Sequence, residues 1–203
     1  IKDFDVQKLP KNFVVKATHG SGWNLICTDK EKINWFWWKK IMHIWLNNNI
    51  FWPGREWPYK YMKPRLIVEE VLVDNSGCLM DYKFFCFNGK VKFVQANKGR
   101  DTKEHAQNFY DLEWKILPFG KDLKPRADII IDAPINLYKM SEIAQDLSKE
   151  FPFVRIDFYE VNKKVIFGEM TFYPKSGLPD FNPIEYDLIL GEYIHLPEKM
   201  ISK

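Results

Sequence analysis

Charged side chains at every second position of two apolar runs constrain this chain more than any other feature. In Phe153-Val154-Arg155-Ile156-Asp157-Phe158, Arg155 and Asp157 alternate with large apolar residues, and Glu169 and Thr171 do the same in Phe167-Gly168-Glu169-Met170-Thr171-Phe172. A period of two is the side-chain period of a strand, so each run reads as a strand with one apolar and one polar face. Asn162-Lys163-Lys164 between them reads as the turn of a hairpin, 153–161 against 165–171. A three-residue loop sets Val161 opposite Val165, and counting outward then sets Asp157 opposite Glu169 and Arg155 opposite Thr171. Directly opposed carboxylates repel and are avoided across strands. A cation between them removes that penalty, and two hard oxygen donors suit Mg²⁺. A loop of even length sends the two carboxylates to opposite faces instead. Local sequence leaves both outcomes open.

Three further constellations carry polar chemistry. Lys16 ends an apolar run at 12–17 and is followed by His19-Gly20-Ser21-Gly22 and a second apolar run at 23–28, which predicts strand, glycine loop, strand. Glycines let backbone N–H groups turn toward phosphate oxygens and lysine adds a point charge, although the lysine precedes the glycines and this is no Walker loop. An ordinary tight turn explains the same residues. Glu69 and Glu70 fall inside the strand-like run 65–72, where a carboxylate needs a partner or a polar cleft; an edge strand with both groups in water is the plainer reading. Asp81 and Lys83 share one face of a strand at 81–87, as a surface ion pair or as one end of a nucleotide site.

The remaining elements follow from local signals. Thr28-Asp29-Lys30-Glu31 has the capping-box pattern, and Ile33, Trp37, Ile41, Ile44 and Trp45 follow at helical spacing, so the tryptophan cluster from Trp35 to Trp57 is expected to pack in a core. Asn88-Gly89 predicts a tight hairpin between strands at 81–87 and 90–95. The stretch 98–135 shows little periodicity and is expected to be irregular, 137–150 reads as a helix, and Pro174-Lys175-Ser176-Gly177 as a loop before a short final helix. Antiparallel hairpins interleaved with helices make the expected class α+β.

Composition excludes more than it proposes. With 203 residues, 46% hydrophobic and 28% charged, the chain is ordinary folded protein, and a net charge of +3 with dispersed lysines argues against nucleic acid as a partner. Cys27, Cys78 and Cys86 are odd in number, far apart and without CxxC spacing, which argues against disulfides and structural zinc and fits a reducing cytoplasm. No apolar run approaches a transmembrane length.

Taken in order, these pieces resemble the TupA-like branch of the ATP-grasp superfamily, which is linked to teichuronopeptide and surface-polysaccharide synthesis. The resemblance runs through Phe13-Val14-Val15-Lys16, His19-Gly20-Ser21-Gly22-Trp23, Gly54-Arg55-Glu56-Trp57 and Asp81-Tyr82-Lys83-Phe84-Phe85-Cys86-Phe87-Asn88-Gly89. It continues in Asn108-Phe109-Tyr110-Asp111, Phe151-Pro152-Phe153-Val154-Arg155-Ile156-Asp157 and Phe167-Gly168-Glu169-Met170-Thr171-Phe172. The resemblance implies an ATP-grasp fold, with two α+β lobes clasping ATP, at 1–72 and 73–203. It implies that Lys16 contacts ATP phosphates beneath a lid of His19, Gly20, Ser21 and Gly22. Glu69, Glu70, Val71 and Leu72 would form a hinge against adenine, and Asp81 would hold the ribose hydroxyls. Lys83 would approach the phosphates and Arg155 would stabilise the transferring phosphoryl group. Asp157 and Glu169 would ligate Mg²⁺, with Thr171 at the position where most ATP-grasp enzymes carry an Asn, and Ser176 and Gly177 would line the acceptor side.

The implied activity is ATP-dependent carboxylate–amine ligation through an acyl phosphate, with glycan-linked acid and amine substrates and a peripheral place in polysaccharide assembly. A kinase-like phosphotransferase and a non-catalytic nucleotide-binding module are the rival readings. The Asp-x-Asp motif of many glycosyltransferases is absent. Family members look as though a further segment precedes the Phe-Val-Val-Lys strand, so a segment ahead of Ile1 is expected.

Overall fold

A computed structural model describes residues 4–75, 79–98, 105–121 and 125–197; Ile1 and Cys78 lie outside them. The fold is α+β, and the chain divides into two compact units, Ile1–Leu72 and Val73–Lys203.

In the first unit, alternation of Phe13, Val15 and Ala17 with Val14 and Lys16 gives β1 (Phe13–Ala17) one buried face. It is the central strand of an antiparallel sheet in the order β2-β1-β3, with β2 at Asn24–Cys27 and β3 at Leu66–Glu69. The buried face packs on α1 (Trp35–Asn47) through Met42 and Trp45. The helix starts later than the capping-box pattern indicates. Asp29 caps only a short 3₁₀ turn at Lys30–Lys32, and Asn34, whose side chain accepts from the Trp37 N–H, caps α1. The tryptophan cluster also departs from the expected core role: Trp45 is buried, but Trp37, Trp52 and Trp57 are exposed, the last two on and just after α2 (Phe51–Gly54). A short helix has one buried stripe, and this segment carries more aromatic rings than that stripe holds.

The second unit is a five-stranded antiparallel sheet in the order β6-β5-β4-β7-β8. Strands β4 (Asp81–Phe87) and β5 (Lys90–Lys98) join at Asn88-Gly89, both at positive φ as a two-residue hairpin turn requires. β6 (Ala106–Tyr110) lies within the stretch expected to be irregular. Every residue of it is buried, including Gln107 and Asn108, so both faces are covered and no alternation marks it in sequence. α3 (Leu137–Ser148) covers one sheet face through Leu137, Met140 and Ala144, packed with Phe84, Ile156 and Phe158. α4 (Glu185–Gly191), the last of the described elements, packs on a separate aromatic cluster through Leu190.

The hairpin of β7 (Phe153–Val161) and β8 (Lys164–Thr171) corrects the loop length. Asn162 and Lys163 alone form the turn, at φ 49° and 64°, and Lys164 pairs with Val161. That even loop would separate the two carboxylates, but a β-bulge between Asp157 and Phe158 shifts the register, with Gly168 as the extra residue. Asp157 therefore faces Glu169, and Arg155 faces Thr171. A Cβ at residue 168 would stand 3.0 Å from the Asp157 carbonyl oxygen and 3.3 Å from the Tyr159 ring, so glycine fits the bulge.

Cys86 on β4 is fully buried, and burial pushes its thiol up to about 12. A raised value in the fold means the folded state holds the proton more tightly. This contribution is therefore complete below the ordinary thiol range and fades as pH rises toward 12. Urea unfolding of the wild type is expected to lose about 1.4 kcal/mol per pH unit above pH 9 relative to Cys86→Ala. Parallel stability curves for the two proteins would show that the thiol ionises within the fold.

Candidate functional site

On the sheet face away from α3, register places polar side chains in one belt across all five strands of the second unit. Glu169 and Thr171 stand on β8, Arg155 and Asp157 on β7, Asp81 and Lys83 on β4, Gln95 and Asn97 on β5, and Gln107 on β6. Beyond the belt the same face turns aromatic, with Phe85 beside Arg155 and Phe93 beside Phe85.

Asp157, 5% exposed, is the centre of the belt. Its Oδ1 accepts from Arg155 Nε at 2.7 Å and its Oδ2 from Arg155 Nη2 at 2.8 Å, a two-pronged pairing that fixes the guanidinium plane. Lys83 Nζ bridges Asp157 Oδ2 and Asp81 Oδ2, each at 2.6 Å. Arg155 Nη2 reaches on to Glu169 Oε1 and Thr171 Oγ1, both at 3.0 Å, and the Thr171 hydroxyl donates to the same Glu169 oxygen. Burial works against the Lys83 ammonium, but the carboxylates of Asp157 and Asp81 outweigh it and hold its pKa above the ordinary value. Burial likewise opposes the Arg155 charge, and Asp157 and Glu169 more than offset it. Both cations stay charged.

Sequence reasoning missed the amide half of the belt. Asn97 Nδ2 donates to Asp81 Oδ1 at 3.4 Å, while Gln95 and Gln107 donate to Asn97 Oδ1 at 3.4 and 3.3 Å. These buried amides support the Asp81 carboxylate from the side opposite Lys83. The available signal was Gln95 and Asn97 at period two in an otherwise apolar strand.

The cation expected between Asp157 and Glu169 is, in this arrangement, the Arg155 guanidinium. The donor set still fits Mg²⁺. Three carboxylates, Asp81, Asp157 and Glu169, face two cations, Lys83 and Arg155, leaving one negative charge in excess. Glu169, its side chain 61% exposed, opens that excess to ligands. No cluster of three His, Cys, Asp or Glu suited to a metal occurs among the described residues, but Mg²⁺ commonly takes one or two carboxylates and fills its octahedron with water and phosphate oxygens.

In the first unit Lys16 points to the sheet face away from α1. Its Nζ lies 2.5 Å from Glu69 Oε2, a diagonal cross-strand pair, since Lys16 is opposite Ile67. Both side chains are about two-fifths exposed, so the pair contributes about 0–1 kcal/mol and gives way easily to another partner. β3 is an edge strand and ends at Glu69; Glu70, exposed, and Val71 and Leu72, half-buried, follow it outside the ladder. Ser21 and Gly22 are exposed at the loop tip, with Gly22 at φ 71°. Gly20 packs under the Trp23 ring, where a Cβ would come within 2.3 Å.

His19 turns inward from the loop. It is fully buried, its Nε2 lies 2.6 Å from the Trp45 carbonyl, and its ring meets Trp23 edge-on. A carbonyl only accepts, so Nε2 carries the hydrogen, and the side chain anchors the loop to α1, with Nδ1 buried and without a hydrogen-bond partner. Ser176 and Gly177 lie in a 3₁₀ turn, Pro174–Gly177, in which Lys175, Ser176 and Gly177 are all at positive φ.

Among the described residues no helix is long and apolar enough to cross a membrane. A search of curated protein sequences returned no match. The family model for the TupA-like ATP-grasp matches residues 1–195, nearly the whole length and every polar constellation described above. ATP-grasp proteins use ATP, generally with Mg²⁺, in ligase-type reactions, and this chain belongs to the TupA-like ATP-grasp family.

Proposed function

We propose that the protein is an ADP-forming carboxylate–amine ligase that joins an amino acid or amine to a carboxylated glycan through an acyl phosphate. The observation that carries this reading is the Arg155 guanidinium, locked against Asp157 and extended to Glu169 and Thr171 at the exposed end of the belt. A cation held in advance stabilises charge on a transferring phosphoryl group without reorganising. Lys83, fixed between two carboxylates, adds a second charge beside it. Asp157 and Glu169 would hold Mg²⁺, which supplies charge neutralisation at phosphate oxygens. Asp81, supported by Asn97, accepts from ribose hydroxyls in this reading.

The first unit contributes phosphate chemistry of its own. Lys16 exchanges its weak pairing with Glu69 for ATP phosphates, Gly20, Ser21 and Gly22 offer backbone N–H groups, and the end of edge strand β3 with the run on to Leu72 offers backbone groups to adenine. Ser176 and Gly177 border the acceptor. The glycan and its place in surface-polysaccharide assembly rest on the family resemblance.

Lys16→Ala is expected to weaken ATP binding about tenfold in calorimetry, the scale of one charge-assisted phosphate contact. Glu169→Gln should leave metal-free ATP binding unchanged and remove the gain that Mg²⁺ gives. Equal affinity with and without Mg²⁺, unchanged in both variants, would rule the site out.

A further inference from the structure

Helix α1 is apolar on two sides, and the sheet covers only one of them. Met42 and Trp45 pack on β1, while Phe36, Trp37 and Ile44, which helical spacing puts on the opposite side, are 66%, 57% and 58% exposed. Phe36, Lys39, Lys40, His43 and Ile44 line one open depression on that outer side. A second exposed set follows in the chain, with Trp52 on α2 and Trp57 and Tyr61 on and just after the 3₁₀ turn Trp57–Tyr59. Large apolar groups gathered in water mark a contact surface.

The charge of this surface says what it meets. Residues 34–65 hold six Lys and Arg and a single acidic residue, Glu56, which is buried. The ion pairs described in the first unit use Lys8, Lys11 and Lys16 instead. The cations are interleaved with the rings. Lys40 Nζ stands 4.2 and 5.0 Å from the centres of the Phe36 and Trp37 rings, and Lys60 Nζ 4.3 and 5.1 Å from those of Trp57 and Tyr61. A second copy of the chain would bring this positive run against itself. Single-stranded nucleic acid needs open ring faces on which successive bases stack. Here ammonium groups lie over ring faces, and neighbouring rings meet edge-on, Phe36 with Trp37 at 75° and Trp57 with Tyr61 at 89°. An anionic lipid surface accepts both features, since indole and aliphatic groups enter the headgroup layer while lysine stems carry their charge to the phosphates.

We infer that residues 36–61 dock the protein on a bilayer surface containing anionic phospholipid. Phe36, Trp37 and Ile44 of α1 and Trp52 of α2 enter the headgroup layer, and Lys39 and Lys40 meet lipid phosphates. The inference adds a location to the reaction proposed above and does not depend on it. Lys16 points to the sheet face away from α1, and docking through the outer side of α1 leaves that face open.

Vesicle flotation and tryptophan emission test the surface on the full chain. The vesicles are pure phosphatidylcholine, or two parts phosphatidylcholine to one part phosphatidylglycerol. The expected result is binding to the anionic vesicles about a hundredfold tighter than to the neutral ones, with a blue shift of emission and a loss of affinity as salt rises. The double variant Lys39→Gln with Lys40→Gln should bind about 25-fold more weakly. Trp37→Ser with Trp52→Ser should bind about tenfold more weakly and lose most of the blue shift. All four side chains are exposed, so thermal unfolding and ADP affinity should stay at the wild-type values. Absence of binding to anionic vesicles overturns the inference, as does equal binding to neutral ones or binding that both double variants retain. Capture by a single-stranded oligonucleotide or by polyglutamate, without vesicle binding, also overturns it and makes the surface a polyanion site. Vesicle binding with the expected losses, but no binding of ADP, upholds the surface and removes the nucleotide reading instead.

Discussion

Replacing Asp157 by alanine is expected to cost about 3–5 kcal/mol of unfolding free energy, the largest loss of any single substitution in the belt. The magnitude follows from what remains behind. Arg155 and Lys83, their side chains only 14% and 12% exposed, would keep their charges with their shared counter-ion gone. Lys83→Met removes a cation but leaves Asp157 paired with Arg155, so its loss should be much smaller. Denaturant unfolding of the two variants at neutral pH makes the comparison. The pH dependence has a fixed sign. The pKa of Lys83 is raised, because Asp157 and Asp81 outweigh the burial that opposes its charge. Its contribution is therefore complete below the ordinary lysine range and is lost only as pH climbs through the raised value. Equal losses for Asp157→Ala and Lys83→Met would mean that the belt is hydrated and weakly coupled.

Arg155→Ala should depress the chemical step by about 10²–10³-fold, the usual effect of removing one prepositioned donor from a transition state. The reading is clearest with hydroxylamine in place of the amine, since an acyl phosphate is then trapped as a hydroxamate and ADP release reports the first half-reaction alone. ADP affinity should change little, which separates loss of phosphoryl stabilisation from loss of nucleotide binding. Arg155→Lys keeps a charge but not the planar pairing with Asp157, and should recover only a small part of the rate. Trapping at the wild-type rate in Arg155→Ala would remove that residue from the chemistry. A stable phosphorylated sugar without hydroxamate would favour a kinase-like reaction, and release of AMP with pyrophosphate would mean adenylation.

The strands that carry the belt were legible because one of their faces is polar and the other is packed. Alternation in β4 and β7, and the two-residue turn at Asn88-Gly89, are local signals that tertiary structure had no reason to override. β6 was hidden for the opposite reason: buried on both faces and carrying Gln107 and Asn108, it shows no period. The amides supporting Asp81 shared that fate, since their partners are distant in sequence. In the first unit the composition pointed to a tryptophan core, yet only a few of those rings fit against β1. His19 sits in a glycine loop by sequence, and only its long-range partner, the Trp45 carbonyl, reveals its inward turn.

The bulge at Gly168 separates the tip of the β7–β8 hairpin from its base. Residue parity, even or odd, normally ties the length of a turn to the side of the sheet on which every later residue emerges. Here one surplus residue between tip and base cancels an even turn, so Asp157 and Glu169 emerge together. A three-residue turn with an unbroken ladder would give the same outcome at the base. The two solutions are interchangeable from the standpoint of the carboxylates, and the tip is thereby freed to vary in length in compensated steps. The cost of that freedom is concentrated at one position, where a Cβ would press on the Asp157 carbonyl and the Tyr159 ring.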